Sequence, residues 1–407
     1  MRILMVNKFL YPRGGAESYM LKVGAYFQAQ GHTVEYFGMY DARNTVGNHC
    51  GISTRNMEFH STSLKRLLYP FQILYSFEAR RKIGRVLDAF RPDVVHMNNI
   101  NFQLTPAIID AVKRRNIPLV QTVHDYQMVC PNHLLYDFEA RHVCEKCVGR
   151  RKWNCIRHRC IHGSRIKSIL GAAEALLYRV RHTYRNVDRY ICPSRFLYGK
   201  LLAEQPETYR DRAIVLPNFI EKRAKPAQTK RRFPYPYLAF AGRLSEEKGT
   251  RVLAETARLL PDVHFVVMGE GPDRAALAGL PNVELTGFLT GAALDEIMAG
   301  AEAMVVPSVC FENCPLAILE AQMFGVPSVT MNMGGMAELV RDHETGVLAR
   351  STAAEDFAAA VREILSDPAA LARMKENCRA AAQRAMTIDR YCKEVLQIYQ
   401  TVRTCHG

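Results

Sequence analysis

Apolar residues along the chain fall into two kinds of run. Short, continuous stretches rich in Val, Ile and Leu come first: RILMV from Arg2, TVEYF from Thr33, DVVHM from Asp93, PLVQTV from Pro118, DRYIC from Asp188 and AIVLPN from Ala213. Between them lie longer segments with apolar positions at helical spacing, of which about Ala16 to Gln30 is the first. Continuous apolar strands separated by helices predict a parallel sheet covered on both faces. From Lys222 to Pro236 the chain reads KRAKPAQTKRRFPYP, basic, proline-rich and without period, which predicts an interdomain linker. The alternation then restarts with YLAFAGRL, VHFVVMGEG, NVELTGFL, AMVVPS and VPSVTM. From Ser351 to Thr404 only helical patterns remain, and the last, IDRYCKEVLQIYQTV, is expected to cross back onto the first unit. The predicted organisation is an α/β chain of two doubly wound units, 1–221 and 237–385, joined by 222–236 and followed by a returning helix at 386–407.

No repeat at periods of about 20 to 50 residues is present, which excludes a solenoid. No stretch reaches ~18 consecutive apolar residues, so no membrane-spanning helix is predicted. The opening MRILMVNKFLYPRGG lacks a signal-peptide core and cleavage site and reads as a first strand. Composition alters this picture in one respect. The 407 residues carry a net charge of +14, but Met1 to Glu221 holds 33 basic and 18 acidic residues, and the remainder is close to neutral. A positive field confined to one half favours an anionic partner: nucleic acid, an acidic lipid surface or a phosphorylated substrate.

Four post-strand loops carry chemistry. In PSVCFENCPLAILEAQMFGVPSV, Glu312, Asn313 and Cys314 precede Pro315 and Leu316, where a helix is expected to begin with proline at its first position. The free backbone N–H groups of such a helix start suit a phosphate, and Glu312 and Glu320 flank it, as a nucleotide sugar requires. In AFAGRLSEEKG, Arg243 and Lys248 supply a planar fork and a compact cation for a diphosphate. Gly269 and Glu270 lie in the MGEGP turn, and MGGMAEL forms the fourth loop. In an open α/β sheet, ligands bind beyond the carboxyl ends of the strands, where all four loops fall. In the first half, Gly14 and Gly15 allow close backbone approach before the first helix, without the GxGxxG fingerprint of dinucleotide binding. His124 and Asp125 end another strand, where a histidine can bind a sugar hydroxyl or move a proton.

The run FENCPLAILEA with Glu312 and Glu320 spaced E-x(7)-E resembles glycosyltransferase family 4. So do the GRLSEEKG, GEGP and GGMAELV segments and the N-terminal PRGGAE. The resemblance covers nearly the whole chain and is strongest from about 237 to 348. It implies the GT-B fold, two Rossmann-like domains facing a cleft, and retaining, metal-independent transfer from a nucleotide diphosphate sugar. The acceptor it implies is a saccharide or lipid-linked acceptor of cell-surface polysaccharide assembly. By the same resemblance Glu312 contacts donor-sugar hydroxyls, Glu320 contacts the ribose, and Arg243 and Lys248 bind the diphosphate, assisted by the backbone from Asn313 to Leu316. His124 lies near the reacting sugar, and Gly14 and Gly15 make room for phosphates or acceptor.

Between about 130 and 162 stands a cysteine-rich insertion. Cys144 and Cys147 form a C-x(2)-C knuckle, with Cys130 before it and Cys155 and Cys160 after it, spacing that predicts a structural zinc held by four of the five. His133, His142, His158 and His162 are alternative ligands, and an iron–sulfur cluster, unmetallated thiols and disulfides are the other readings. The following SRIKSILGAAEALLYRVRHTYR predicts a helix that is basic on one side and apolar on the other, suited either to an anionic membrane or to a core. A cytoplasmic protein is expected, at the inner face of the cell membrane if this helix docks there. The competing functions are a zinc-containing nucleic-acid-binding protein and a GT-B sugar-nucleotide epimerase or phosphorylase. Trp153 stands alone among the basic residues here, against base stacking, so no nucleic-acid partner is expected.

Overall fold

The structure, a computed structural model, describes residues 1–56, 69–149, 151–221 and 232–406. Positions 222–231 of the predicted linker therefore lie outside the described residues. The chain forms two compact units, Met1–Pro217 with Ile388–Gly407, and Asn218–Thr387.

Unit 1 contains β1 (Arg2–Val6), β2 (Thr33–Phe37), β3 (Val94–Met97), β4 (Leu119–Thr122), β5 (Tyr136–Asp137), β6 (His142–Val143), β7 (Arg189–Cys192) and β8 (Ala213–Val215). Its sheet runs β2-β1-β3-β4-β7-β8, every pair parallel, and β5 and β6 form a separate antiparallel hairpin. Ile3 is flanked by Val34 and Val94, and β3 and β4 are buried along their whole length. These strands read as continuous apolar runs because helices cover both faces of the sheet. Unit 2 contains β9 (Tyr237–Ala241), β10 (His264–Met268), β11 (Val283–Gly287), β12 (Ala303–Val306), β13 (Ser328–Met331) and β14 (Gly346–Ala349). Its sheet runs β11-β10-β9-β12-β13-β14, again all parallel. The apolar pattern did not predict β14: GVLA is four residues long, opens with glycine and follows the charged RDHET. Pairing with the fully buried β13 creates this strand. Among the described residues no helix is long and apolar enough to cross a membrane.

The helix Ile388–Thr404 packs on unit 1 through a buried polar network. The His96 ring bonds Tyr399 Oη at 2.5 Å and Thr122 Oγ1 at 2.8 Å. Tyr19 Oη bonds the same Thr122 at 3.0 Å and Tyr391 at 2.8 Å. Each of these side chains lies in the core, so each hydroxyl or ring nitrogen left unpaired there would cost about 1–3 kcal/mol. A second buried group ties the cysteine-rich segment to the sheet's covering helices. Lys152 Nζ donates to the carbonyls of Val129 (2.6 Å) and Cys147 (3.0 Å) and to Glu204 Oε2 (2.8 Å). Glu204, at the end of helix Arg195–Glu204, also accepts from Gly149 N–H and from Arg179 of helix Arg165–Val180. Burial pushes the Glu204 carboxyl up from its ordinary value even against these cations.

Removing one partner of a buried pair strands the other. Lys152→Met is expected to lower unfolding stability by about 3 kcal/mol, read as a shift in denaturant midpoint; a change within error would mean that Arg179 alone satisfies Glu204. Burial, reinforced by the neighbouring His124, depresses His96 to about 3, below the ~6.5 of an unfolded histidine. The unfolded chain thus takes up this proton first, and stability is expected to fall as pH drops from about 6.5 toward 3, by ~1.4 kcal/mol per unit. Equilibrium unfolding across this range should show a slope shallower in His96→Gln than in the wild type by about that amount.

Candidate active site

Counted in chain order within unit 2, the strands lie 3-2-1-4-5-6 across the sheet. The chain departs from β9 to one side through β10 and β11 and returns to the other side through β12, so the loops after β9 and β12 diverge. In open α/β sheets such a switch point, at the carboxyl ends of the strands, is where ligands bind. Lys248 lies in the first loop and Glu312 in the second, and the structure joins them: Lys248 Nζ is 2.6 Å from Glu312 Oε1. Ser308 Oγ donates to the same oxygen at 2.8 Å. Burial works against the Lys248 charge, but the Glu312 carboxylate outweighs it and the ammonium pKa is raised. An ammonium has three donors, so one bond to Glu312 leaves two for an anionic ligand. Arg243, in the same loop, is exposed and makes no ion pair among the described residues.

The loops are held together by backbone contact that only glycine permits. Gly249 has φ 74°, and a Cβ on it would sit 1.9 Å from the Pro307 carbonyl, so the loop after β9 leans directly on the end of β12. Gly335, in the loop after β13, donates its N–H to Glu312 O at 2.6 Å, and a Cβ there would lie 1.7 Å from Asn313 O. The GEGP turn adds the Leu244 N–H to Glu270 O bond of 3.0 Å, and a Cβ on Gly269 would meet Gly242 O at 1.8 Å. The Glu270 side chain is exposed, 3.5 Å from Arg274.

The helix after Glu312 spans Leu316–Met323, one residue shorter at its start than predicted. Pro315 has ψ 117°, which is extended, so it caps the helix and Leu316 is its first residue. Cys314 packs in a buried group with Ile220 and Leu319, and burial pushes its thiol up to about 12, so any part it has in binding falls to its backbone. Glu320 is the fifth helical residue and half-buried.

In unit 1, His124 follows β4, half-buried, its Nε2 2.9 Å from Asn98 Oδ1 and its ring edge-on to Tyr19 at 4.9 Å. Burial depresses it to about 4, so the imidazole is neutral at pH 7. Gly14 is the extended N-cap of helix Gly15–Ala29, and the buried Glu17 in its first turn bonds Asn7 Nδ2 at 3.2 Å. That carboxylate already complements the helix dipole, which makes the Gly14–Gly15 turn a poor phosphate seat. Sequence reasoning did not single out Ser308, Asn98 or Glu17. Four-residue spacing between Ser308 and Glu312 was the sole trace of the first, and it acquires meaning only once the loop's path is known.

The cysteine-rich segment departs from expectation. Cys147, Cys155 and Cys160 share a small buried cluster. Burial raises Cys130 to about 11, Cys147 to about 12 and Cys144 above its ordinary value, and a bond with Cys155 together with burial raises Cys160. His158 pairs with Asp137 at 3.0 Å and His133 with Asn101 at 3.2 Å. Among the described residues no group of three or more His, Cys, Asp or Glu is placed to hold a metal ion. The arrangement thus gives no support to the predicted zinc site of Cys130, Cys144, Cys147, Cys155 and Cys160. The buried Lys152 ammonium organises the segment's carbonyls.

Comparison with known proteins agrees with this arrangement. The chain is 25% identical over 362 residues to a Klebsiella pneumoniae protein described as an uncharacterized 42.6 kDa protein in the cps region, covering 84% of this chain and 88% of that one. It is 26% identical over 413 residues to a GDP-mannose-dependent alpha-mannosyltransferase of Corynebacterium glutamicum, covering 99% and 89%. The fold is shared with Anabaena HepE, solved in complex with UDP and glucose, at TM-score 0.67, 17% identity and coverage of 98% and 100%. Residues 221–381 match the family model described as Glycosyl transferases group 1, and residues 13–223 match that of Glycosyltransferase Family 4. With the second match spanning more than half of its length, and two Rossmann-like units behind it, the chain belongs to glycosyltransferase family 4.

Proposed function

We propose that this glycosyltransferase is a retaining enzyme that uses a nucleotide diphosphate sugar bound by unit 2. Its acceptor is a saccharide or lipid-linked acceptor in cell-surface polysaccharide assembly. The observation that carries the reading is the Lys248–Glu312 pair at the switch point of unit 2, beside the unpaired Arg243 and the start of helix Leu316–Met323. Two cations in the loop after β9 and a helix start just after Glu312 would suit a diphosphate, with carboxylates beside it for hydroxyls. HepE's complex with UDP and glucose and the GDP-mannose dependence of the Corynebacterium glutamicum relative support a sugar nucleotide as donor. The cps-region relative supports a polysaccharide product.

In this reading the bond between the sugar's anomeric carbon and the diphosphate oxygen breaks, and its electron pair leaves with the diphosphate. The acceptor oxygen bonds to the anomeric carbon on the same face and passes its proton to the departing phosphate oxygen. Arg243 and Lys248 stabilise the charge that develops on the leaving group, a task a metal ion would otherwise perform. Glu312, fixed by Lys248 and Ser308, holds sugar hydroxyls, and Glu320 the ribose. His124, neutral at pH 7, is a hydrogen-bonding group for a sugar hydroxyl rather than a cation.

A thermal-shift series with UDP, GDP, ADP and their sugar conjugates, without added metal, tests the donor. A nucleotide at a hundred times its dissociation constant is expected to add about 2.7 kcal/mol of stability, and silence from all three bases would remove the donor-site reading. Glu320→Ala should weaken the nucleotide that shifts the wild type; unchanged affinity would rule out its ribose contact. Lys248→Ala should lower turnover about 100-fold or more, with the donor's dissociation constant changing less than its rate.

A further inference from the structure

We propose that unit 1 carries a docking face for an anionic phospholipid bilayer, built on helix Arg165–Val180 and the segment leading into it. This inference concerns binding alone and does not depend on the transfer chemistry. The helix buries Ser168, Gly171, Ala172, Glu174 and Tyr178 against unit 1. Its other side presents Ile166, Ile169, Leu176 and Val180, with exposures of 71%, 47%, 38% and 74%. Steps of three, seven and four residues place these four on one stripe of a helix. Eleven large apolar residues are exposed among the described residues, and these four together with Trp153 make five of them within one stretch of chain. A surface helix in a water-soluble unit turns such a stripe inward; here the polar and small side is inside and the apolar side outside.

The charges around the stripe identify its partner. From Arg151 to His182 the one carboxylate is Glu174, which is buried. Arg157, Arg159, Arg165 and Lys167 are exposed and make no ion pair among the described residues, in contrast to Arg179 and Arg181, which pair with Glu204 and Asp110. An apolar stripe bordered by unneutralised cations, with no exposed carboxylate from Arg151 to His182, complements the interface of an anionic bilayer: alkyl side chains enter the headgroup boundary and the basic groups meet lipid phosphates. It is a poor match for a second copy of the same face, which would oppose cation to cation.

Flotation of the full chain with phosphatidylcholine vesicles, with and without phosphatidylglycerol, tests the proposal. Partitioning is expected to be about ten-fold or more greater with phosphatidylglycerol and to fall as salt is raised. Ile166→Asp with Val180→Asp, and separately Arg165→Glu with Lys167→Glu, should each abolish most of it while leaving the thermal melt unchanged, because all four side chains are exposed. Equal partitioning onto both vesicle types, or undiminished partitioning of both variants, would overturn it. So would sedimentation showing a lipid-free dimer that the Ile166→Asp, Val180→Asp variant dissolves, since the stripe would then be covered by a second copy.

Discussion

Everything at the candidate active site depends on the direction in which the chain leaves β9 and β12. Parallel strands need crossovers, and the order of unit 2 sends those crossovers to opposite sides at one position in the sheet. Two loops that diverge would ordinarily lose contact with each other. Here they are held together by the absent side chain of Gly249 against the Pro307 carbonyl and by the Lys248–Glu312 ion pair above it. Gly335 braces Glu312 from the loop after β13. The charged pair is consequently set on backbone that cannot easily shift, which is the condition for electrostatic stabilisation that needs no reorganisation when a ligand arrives.

Unit 1 uses buried polar groups differently. His96, Thr122, Tyr19, Tyr391 and Tyr399 satisfy one another between the sheet, the first helix and the last, so that a helix distant in sequence becomes part of the same core. Low polarity there keeps His96 neutral, and the nearby His124 shares that environment while standing at the end of its strand. A structural network and the neighbouring His124 are thus tuned by one desolvated region.

In the cysteine-rich segment, five cysteines at knuckle-like intervals satisfy the arithmetic of a zinc site, and three of them, Cys147, Cys155 and Cys160, share one buried cluster, but no metal-holding group is placed among the described residues. The segment is instead organised around an ammonium group, with Lys152 donating to two carbonyls and to Glu204. Nothing local in RRKWNC distinguishes that lysine from Arg151, its exposed basic neighbour. Its role is decided by Glu204, 52 positions away.

By itself the sequence determined the class of the fold and the residue types that its post-strand loops carry. Continuous apolar runs dictated parallel strands, and the restart of the pattern at Tyr237 dictated a second unit. Glycines, acids and cations just after strands marked the loops that the structure brings into contact. These features were legible because burial on both faces and tight turns act over a few neighbouring residues. Tertiary structure alone decided that Lys248 meets Glu312, that Ser308 fixes the same oxygen, that Cys314 turns inward and Pro315 caps the helix, and that GVLA becomes the edge strand β14. It also decided that the apolar side of helix Arg165–Val180 faces outward, which its pattern left open between membrane and core. The physical reason is common to all of them. A hydrogen bond, an ion pair or a burial choice depends on what arrives from elsewhere in the chain, and periodicity carries no record of that.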